Sequence, residues 1–297
     1  MSAQGPEPEP GPGRGAEPGR LDWPVAHGGT AVVTPERVEL ALVPGTDPEA
    51  AFEVASVTKL LTSLAALAAV QSGRLALDQE IGDHHLPAGV TARHLLAHAS
   101  GLPFEEGNTR PPGTRRIYSN LGFRLLGEVV ADAVGLSFEG WLRSAVLDPL
   151  GMAATSLTAR RWTQADPAAG AVSTLPDLVK LARCLLDRGA PLLSQDLFGE
   201  AASVQFPGLA GLLPGIGRFD PCDWGLGFEL KDGKQPHWMG ERRSPDSFGH
   251  FGASGCFLWV DPAVLVAAVA VSDRTFDDDR WAMAVWPGWS DSVATVV

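Results

Sequence analysis

Several residue types are scarce in this 297-residue chain, and each scarcity excludes a class of protein. The three cysteines, Cys184, Cys222 and Cys256, are odd in number, widely spaced and form no C-x-x-C pair. A disulfide scaffold and a cysteine-rich zinc site are therefore excluded, and we expect buried free thiols. Basic residues are also few relative to acidic ones, 23 against 35, and the resulting net charge of −12 argues against nucleic acid or an anionic membrane as partner.

A long apolar run is also missing. The longest one at helical spacing, Leu60 to Val70, is too short to span a bilayer. Residues 1–22 are rich in Pro, Gly and Glu and have neither the basic start nor the apolar core of a signal peptide, so we predict a disordered leader there. These observations predict a cytoplasmic protein that does not bind membranes.

What the chain does contain is strand-like sequence at both ends and helical sequence between them. Alternating apolar runs, typical of an antiparallel meander, follow residue 224. The pattern predicts an α+β fold, in which an antiparallel β-sheet is flanked by helices and interrupted by an all-α insertion domain. We assign residues 23–81 and 171–297 to the sheet domain and residues 82–170 to the insertion.

Four helical runs are expected, each followed by a glycine suited to a helix end. They are ASVTKLLTSLAALAAVQSG, FRLLGEVVADAVG, FEGWLRSAVLDPLG and LPDLVKLARCLLDRG. A last helix after Arg280 is also expected, although Pro287 weakens that prediction.

Ser56 and Lys59 form an S-x-x-K motif at the start of the first helical run. Residues three apart lie on one helix face, so the hydroxyl and the amine can meet, and serine becomes a nucleophile only when a base takes its proton. The 18 serines and four lysines give about 0.24 such matches by chance, so the motif alone also fits a capped helix with a solvated lysine.

Tyr118 and Asn120 form a second motif, Y-x-N, and its rarity strengthens the case. The chain has one tyrosine and two asparagines, so chance gives this spacing with a likelihood of about 1%. A third element, GHFGASG at 249–255, has glycines that let a strand edge approach a ligand, although an ordinary β-bulge explains it equally well.

The motifs S-V-T-K (56–59), Y-S-N (118–120) and H-F-G (250–252) resemble, in order, those of the serine β-lactamase and penicillin-recognising superfamily. The likeness is nearest to class C β-lactamases, the related carboxylesterases and D-amino-acid-specific peptidases, and it covers residues 25–297. It implies that Ser56 is the acylated nucleophile and that Lys59 and Tyr118 form the proton-transfer pair. Which of these two is the base stays open.

The resemblance also implies the binding groups. Asn120 would orient Lys59 and a substrate carbonyl, Gly252 would keep the strand edge open, and the backbone N–H groups of Ser56 and Ala253 would form the oxyanion hole. His250 stands where the family often has lysine, which replaces a fixed charge by an imidazole that is mostly neutral at pH 7.

These features predict a serine hydrolase acting on a small-molecule substrate, either an ester or an amide or lactam. The departure at His250 favours the esterase. A true β-lactamase or D,D-peptidase, and a non-catalytic ligand-binding descendant, remain the alternatives. The chain does not predict an oligomeric state.

Neither a metal nor a cofactor is expected. His94 and His98 are four residues apart, but Leu95 stands where H-E-x-x-H needs glutamate, so we predict a structural pair. GASGC at 252–256 ends in cysteine and therefore fails the G-x-S-x-G pattern of an α/β-hydrolase. Trp238 is a candidate wall residue of an acyl pocket.

Overall fold

The computed structural model describes residues 19–82, 84–157 and 166–293. The strands are β1 (Gly19–Arg20), β2 (Gly28–Val33), β3 (Val38–Leu42), β4 (Ala51–Glu53), β5 (Arg116–Ile117), β6 (Val172–Thr174), β7 (Gly211–Leu213), β8 (Gly217–Phe219), β9 (Glu229–Leu230), β10 (Phe248–Gly252), β11 (Cys256–Asp261) and β12 (Val266–Ser272). The α-helices are α1 (Thr58–Gln71), α2 (Ala92–Leu96), α3 (Asn120–Val134), α4 (Phe138–Leu142), α5 (Asp148–Leu150), α6 (Leu175–Leu186), α7 (Gln195–Ala201) and α8 (Trp281–Ser292).

The main sheet has seven strands in the order β1-β3-β2-β12-β11-β10-β9. Its strand pairs are antiparallel except for β1 and β3. The predicted meander is therefore present as β9 to β12, each strand pairing with the next along the chain. Two smaller sheets join β4 to β6, and β5 to β7 and β8.

The central strands are buried on both faces, because side chains along a strand alternate between them. In β11, Leu258 and Val260 belong to the core cluster that contains α1 and α6, whereas Phe257 and Trp259 belong to the cluster that contains α8. The sheet is thus covered by helices on each side, as continuous apolar strands require.

Helix α1 crosses the interior, and 11 of its 14 residues are buried. Its sequence is apolar around most of the circumference, which is the composition of a core helix. A 3-10 turn at Ala55–Val57 leads into it, and Gly73 follows it with a φ of 72°. This places the start of α1 inside the protein, next to β10.

The other predicted helices form with one irregularity. Helix α3 ends at Gly135 (φ 72°), as expected for a left-handed glycine. The run FEGWLRSAVLDPLG is not one regular helix but α4, a π-helical segment at Arg143–Leu147 and α5, ended by Gly151.

Helix α8 continues through Pro287 despite the missing N–H. Trp286 packs edge-to-face on Phe257, with ring centroids 4.9 Å apart, and Trp259 donates a hydrogen bond to Ser290 (3.1 Å). This aromatic burial outweighs the local cost of the proline, which is on the order of 3 kcal/mol.

The α+β class with a mainly antiparallel sheet flanked by helices is confirmed. The predicted leader falls mostly on residues 1–18, outside the described part, and Gly19–Arg20 already pair with β3. The boundaries of the two predicted domains stay a prediction, and β5 is a short strand inside the segment predicted to be all-α. The three cysteines are buried and free. No helix within the described ranges combines the length and the apolarity needed to cross a bilayer.

Candidate active site

Ser56 lies in the 3-10 turn that starts α1, and this turn has an unusual backbone. Ala55 takes a φ of 44°, which costs about 1 kcal/mol or more for a residue with a Cβ. Strand β10 packs directly on the turn: a Cβ on Gly252 would lie 2.3 Å from the carbonyl oxygen of Val54 and 3.2 Å from the nitrogen of Ser56. Only glycine permits this approach.

Lys59 follows one helical turn after Ser56 and is fully buried. Its Nζ lies 3.2 Å from Ser56 Oγ, 2.6 Å from Asn120 Oδ1 and 2.9 Å from the carbonyl oxygen of Ala168. The last two oxygens can only accept hydrogen bonds, so they fix two N–H groups of the amine. In the neutral amine, the remaining direction, toward Ser56, holds the lone pair.

Burial lowers the pKa of Lys59 to about 7, because the charged form loses its hydration. The positive charge of Arg124 adds to this lowering, whereas the carboxylates of Asp166 and Glu105 act in the opposite direction. At neutral pH a large fraction of the amine is therefore unprotonated.

A polar network holds the amine in place. Asn120, the first residue of α3, donates from Nδ2 to Glu105 (2.8 Å) while its Oδ1 accepts from Lys59, which fixes the orientation of the amide. Arg124, one turn later, binds both Glu105 and Asp166. Asp166 in turn accepts from the N–H of Ala168 (2.8 Å), whose carbonyl oxygen contacts Lys59.

Tyr118 lies between the amine and β10. Lys59 Nζ is 4.7 Å from its ring centroid, and its hydroxyl is 3.5 Å from His250 Nε2. Burial raises the pKa of Tyr118 above its usual value, an increase that the Ser56 side chain partly offsets. The phenol is therefore protonated at neutral pH.

His250 is held as one neutral tautomer. Its Nδ1 lies 2.7 Å from the carbonyl oxygen of Phe251, and a carbonyl cannot donate, so Nδ1 carries the proton and Nε2 is an acceptor that faces Tyr118. Burial, helped by the charge of Lys59, lowers the pKa of His250 to about 3. The imidazole is thus uncharged at neutral pH.

Ala253 is the first residue after β10 and is exposed. Its carbonyl oxygen accepts from the N–H of Phe276 (2.9 Å), and its own N–H donates to no other described residue. The N–H of Ala253 is therefore free to bind a ligand at the end of β10, beside the Ala55–Val57 turn that carries Ser56.

A cavity of about 110 Å³ joins these groups, and its walls include Ser56, Tyr118, Trp224, Glu229, His250 and Ala253. Glu229 gives it a buried negative charge. Although burial raises the pKa of Glu229, neighbouring His237 and Lys234 and a hydrogen bond from Trp238 (2.6 Å) hold it at about 2. The cavity thus brings together the Ser56 hydroxyl, a neutral imidazole and a buried carboxylate.

Residues 25–286 match the β-lactamase family. The chain belongs to this family. The three motifs that resembled it in the sequence lie together around one cavity: the Ser56 turn with Lys59 on α1, Tyr118 and Asn120 at the start of α3, and His250 to Ala253 at the end of β10.

Several known proteins are similar to this chain over most of its length, in sequence, in fold or in both. The crystal structure of a β-lactamase from Mycobacterium bovis is 45% identical, with a TM-score of 0.83, and the match covers 91% of this chain and 95% of that one. Penicillin-binding protein 4 of Amycolatopsis lactamdurans is 26% identical over 286 residues, 76% of this chain and 72% of the relative. EstCE1, a hydrolase with promiscuous acyltransferase activity, shares the fold at 18% identity and a TM-score of 0.69, covering 87% of this chain and 92% of that one.

Sequence reasoning did not identify Glu105, Arg124, Asp166, Ala168 or Glu229 as part of the site. Arg124 had a usable signal, since it lies four residues after Asn120 and so on the same face of α3. The others lie on loops or a two-residue strand, and no local periodicity marks them.

Three other residues singled out in the sequence, two histidines and one tryptophan, lie outside the cavity wall. His94 caps α2 through Thr91, and His98 accepts from the N–H of Ser119 (3.1 Å), so both have structural contacts. Trp238, a candidate wall of the acyl pocket, is fully buried against Glu229 instead, and Trp224 lines the cavity. No three potential metal-ligating side chains come together in the described part of the chain.

Proposed function

We propose that the protein is a serine acyl hydrolase that works through an acyl–Ser56 intermediate on small esters, and less readily on amides or lactams. The observation that carries this proposal is the state of Lys59. A fully buried amine with a pKa of about 7 has two directions fixed on carbonyl oxygens and the third on Ser56 Oγ. Such an amine is a base aimed at one hydroxyl.

In acylation, neutral Lys59 takes the proton of Ser56 Oγ while the oxygen forms a bond to the substrate carbonyl carbon. The carbonyl π electrons move to its oxygen, and the N–H groups of Ser56 and Ala253 bind the resulting oxyanion. Collapse of this intermediate breaks the bond to the leaving group, which takes a proton from Tyr118. The phenol then regains a proton from the charged Lys59.

Deacylation repeats the sequence with water as nucleophile. Lys59, neutral again, accepts the proton of the attacking water as the water oxygen bonds to the acyl carbon. When this second oxyanion collapses, the bond to Ser56 Oγ breaks and Lys59 returns the proton to Oγ, which regenerates the serine hydroxyl and the neutral amine and releases the acid. Tyr118 is protonated wherever Lys59 is neutral, so it has a proton to donate; because its raised pKa makes it a weak acid, the phenolate that forms readily takes a proton back from the charged Lys59. His250 accepts from the phenol and so keeps it oriented.

The charges of the cavity favour esters over penicillin-like substrates. A substrate carboxylate near β10 would meet the neutral imidazole of His250 and the fixed negative charge of Glu229, where many family members have a lysine. Glu229 is already paired with the buried Lys234 (3.3 Å), so a substrate carboxylate would lose its hydration at that edge without gaining a cationic partner. A neutral acyl group has no such cost.

The test is mass spectrometry of the folded protein after treatment with a fluorophosphonate or an activated ester. We expect one adduct, on Ser56, lost in Ser56→Ala and kept in Ser72→Ala, a serine at the far end of α1. Unmodified Ser56 in folded protein, or labelling that survives Ser56→Ala, would contradict the proposal.

The alternatives give different results in the same preparation. Nitrocefin turnover, or D-Ala release from a D-Ala-D-Ala peptide, that outpaces ester hydrolysis would favour a β-lactamase or peptidase, the activities to which the family relatives point. If Ser56→Ala left every measurable activity unchanged, a non-catalytic, ligand-binding descendant of the fold would become the favoured alternative.

A further inference from the structure

A second cavity, of about 400 Å³, adjoins the catalytic one and is not used by the proposed chemistry. The two cavities share Phe104, Tyr118 and Pro214 in their walls. We call the second one the arginine cavity, because Arg110, Arg115 and Arg218 line it. A molecule whose carbonyl lies at Ser56 can therefore extend past Tyr118 into it.

The cavity is lined by positive charge, although the protein as a whole is negatively charged. The chain has a net charge of −12, yet all three arginines are exposed and none forms an ion pair with a described carboxylate. Among the described residues that line the cavity there is no Asp or Glu. The nearby Glu105 is already bound to Arg124. Three like charges around one cavity, without an ion-pair partner among the described residues, create a positive potential that a bound anion would neutralise.

A fourth arginine, Arg116, also lines the cavity, mostly buried in its wall, and adds to its positive potential. Arg116 is only 2% exposed, and its donors go to carbonyl oxygens, including those of Cys222 (3.0 Å) and Gln205 (2.7 Å). Burial lowers the pKa of Arg116 to about 10, partly offset by Cys222 and Asp223, so the group stays charged at neutral pH. It is a buried cation without a hydrogen-bonded carboxylate.

The cavity also has an apolar surface. Phe104 is 48% exposed and Leu212 is 55% exposed, unusually high values for large apolar side chains, and both line the cavity. Phe104 lies on the side shared with the catalytic cavity. The lining therefore suits a ligand with an apolar stem and an anionic end.

We infer that the arginine cavity binds the anionic end, a carboxylate or a phosphate, of a substrate whose scissile carbonyl lies at Ser56. This inference rests on the proposed hydrolase function and names its substrate class. Arg115 directly precedes β5 and Arg218 lies on β8, and these two strands flank β7 in one small sheet, so the two long side chains can hold one anion between them by charge-assisted hydrogen bonds.

The test compares p-nitrophenyl esters that differ only at the far end of the acyl chain. The anionic probes are the half esters of succinate, glutarate and adipate, and the neutral probe is p-nitrophenyl pentanoate. We expect the best half ester to exceed the neutral ester in kcat/KM by about tenfold or more, with a preference that weakens as salt is raised. The ratio of the two constants cancels any difference in the amount of folded enzyme.

The variant is Arg115→Glu combined with Arg218→Glu, and the matched control is Arg242→Glu, an exposed arginine outside both cavity walls. The double variant should lower the ratio by about tenfold or more, because it replaces two positive charges facing the anionic end by two negative ones. The control should keep the wild-type ratio. A ratio near one in the wild type, or one that the double variant leaves unchanged, overturns the inference while ester hydrolysis itself stands.

Calorimetry separates failure of the inference from failure of the proposed function. Hexanoate and pentyl phosphate are titrated into the wild type, the double variant and the control. Binding that is lost only in the double variant supports the cavity assignment even if no ester is hydrolysed, and the stronger of the two ligands identifies the anion. Absence of binding by both ligands, or equal binding to the double variant, overturns it.

Discussion

The titration of Lys59 gives the sharpest prediction. If Lys59 is the base, kcat/KM for an activated ester should rise with pH through a midpoint near 7, the pKa of this buried amine. Below the midpoint the constant should fall tenfold per pH unit, because only the neutral amine accepts the Ser56 proton. Above pH 8 the profile should be level.

The size of the effect follows from burial. An exposed lysine with the reference pKa of 10.5 is neutral in about one molecule in 3,000 at pH 7, whereas a pKa of about 7 makes about half of the molecules competent. The difference in competent enzyme is on the order of 1,000-fold at neutral pH. Neither neighbouring group gives a limb near 7, since the pKa of His250 is about 3 and that of Tyr118 is raised above its usual value.

The assay is initial-rate hydrolysis of a neutral p-nitrophenyl ester between pH 5 and 9.5, corrected for spontaneous hydrolysis. His250→Gln serves as the control for the imidazole, and its acid limb should keep the same midpoint. A rate that still climbs tenfold per unit between pH 8 and 9, or a limb that vanishes in His250→Gln, would refute the reasoning that burial activates Lys59.

Three further predictions concern the same assembly. Asp166→Asn should move the acid limb of kcat/KM below pH 7, because the carboxylate raises the pKa of Lys59; an upward shift would contradict this. Gly252→Ala should lower kcat/KM by about 100-fold, because the added Cβ displaces β10 from the turn that carries Ser56. The control is Gly288→Ala, where an added Cβ has no atom within 4 Å, and it should retain the wild-type value in the same assay. The free energy of unfolding of Lys59→Met, measured in urea, should increase relative to that of the wild type as the pH falls from 10 to 7, by up to about 4 kcal/mol. The pKa of Lys59 is lower in the folded than in the unfolded protein, so the unfolded wild-type chain binds a proton between pH 10 and 7 that the folded protein does not. The wild type therefore loses stability over this range, whereas methionine does not titrate. A difference in unfolding free energy that stays constant with pH would contradict the lowered pKa.

Periodicity and helix-end signals in the sequence predicted those elements whose formation is decided by neighbouring residues. The meander of β9 to β12, the core helix α1 and the glycine-ended α3 follow from periodicity and end signals. The π-helical segment before α5 and the continuation of α8 through Pro287 do not, because packing decides both. The tryptophans of α8 bury enough aromatic surface on the sheet to override a proline.

The candidate site divides in the same way. The meeting of Ser56 and Lys59 is predictable, since three residues on a helix bring side chains together. The groups that set the proton affinity of Lys59 are not, because Glu105 and Asp166 reach it only through the tertiary path of their loops. The tautomer of His250 likewise depends on a single contact, that of its Nδ1 with the carbonyl oxygen of Phe251.

Lys59 is surrounded by three separate stretches of polypeptide: the start of α1, the start of α3 and the loop at Ala168, which lies 109 residues away. Each stretch supplies one contact. A molecule in which α3 or the Ala168 loop has not docked lacks part of the enclosure that lowers the pKa of Lys59. If the proposed chemistry is right, the rate of hydrolysis would therefore report how much of the protein is completely folded.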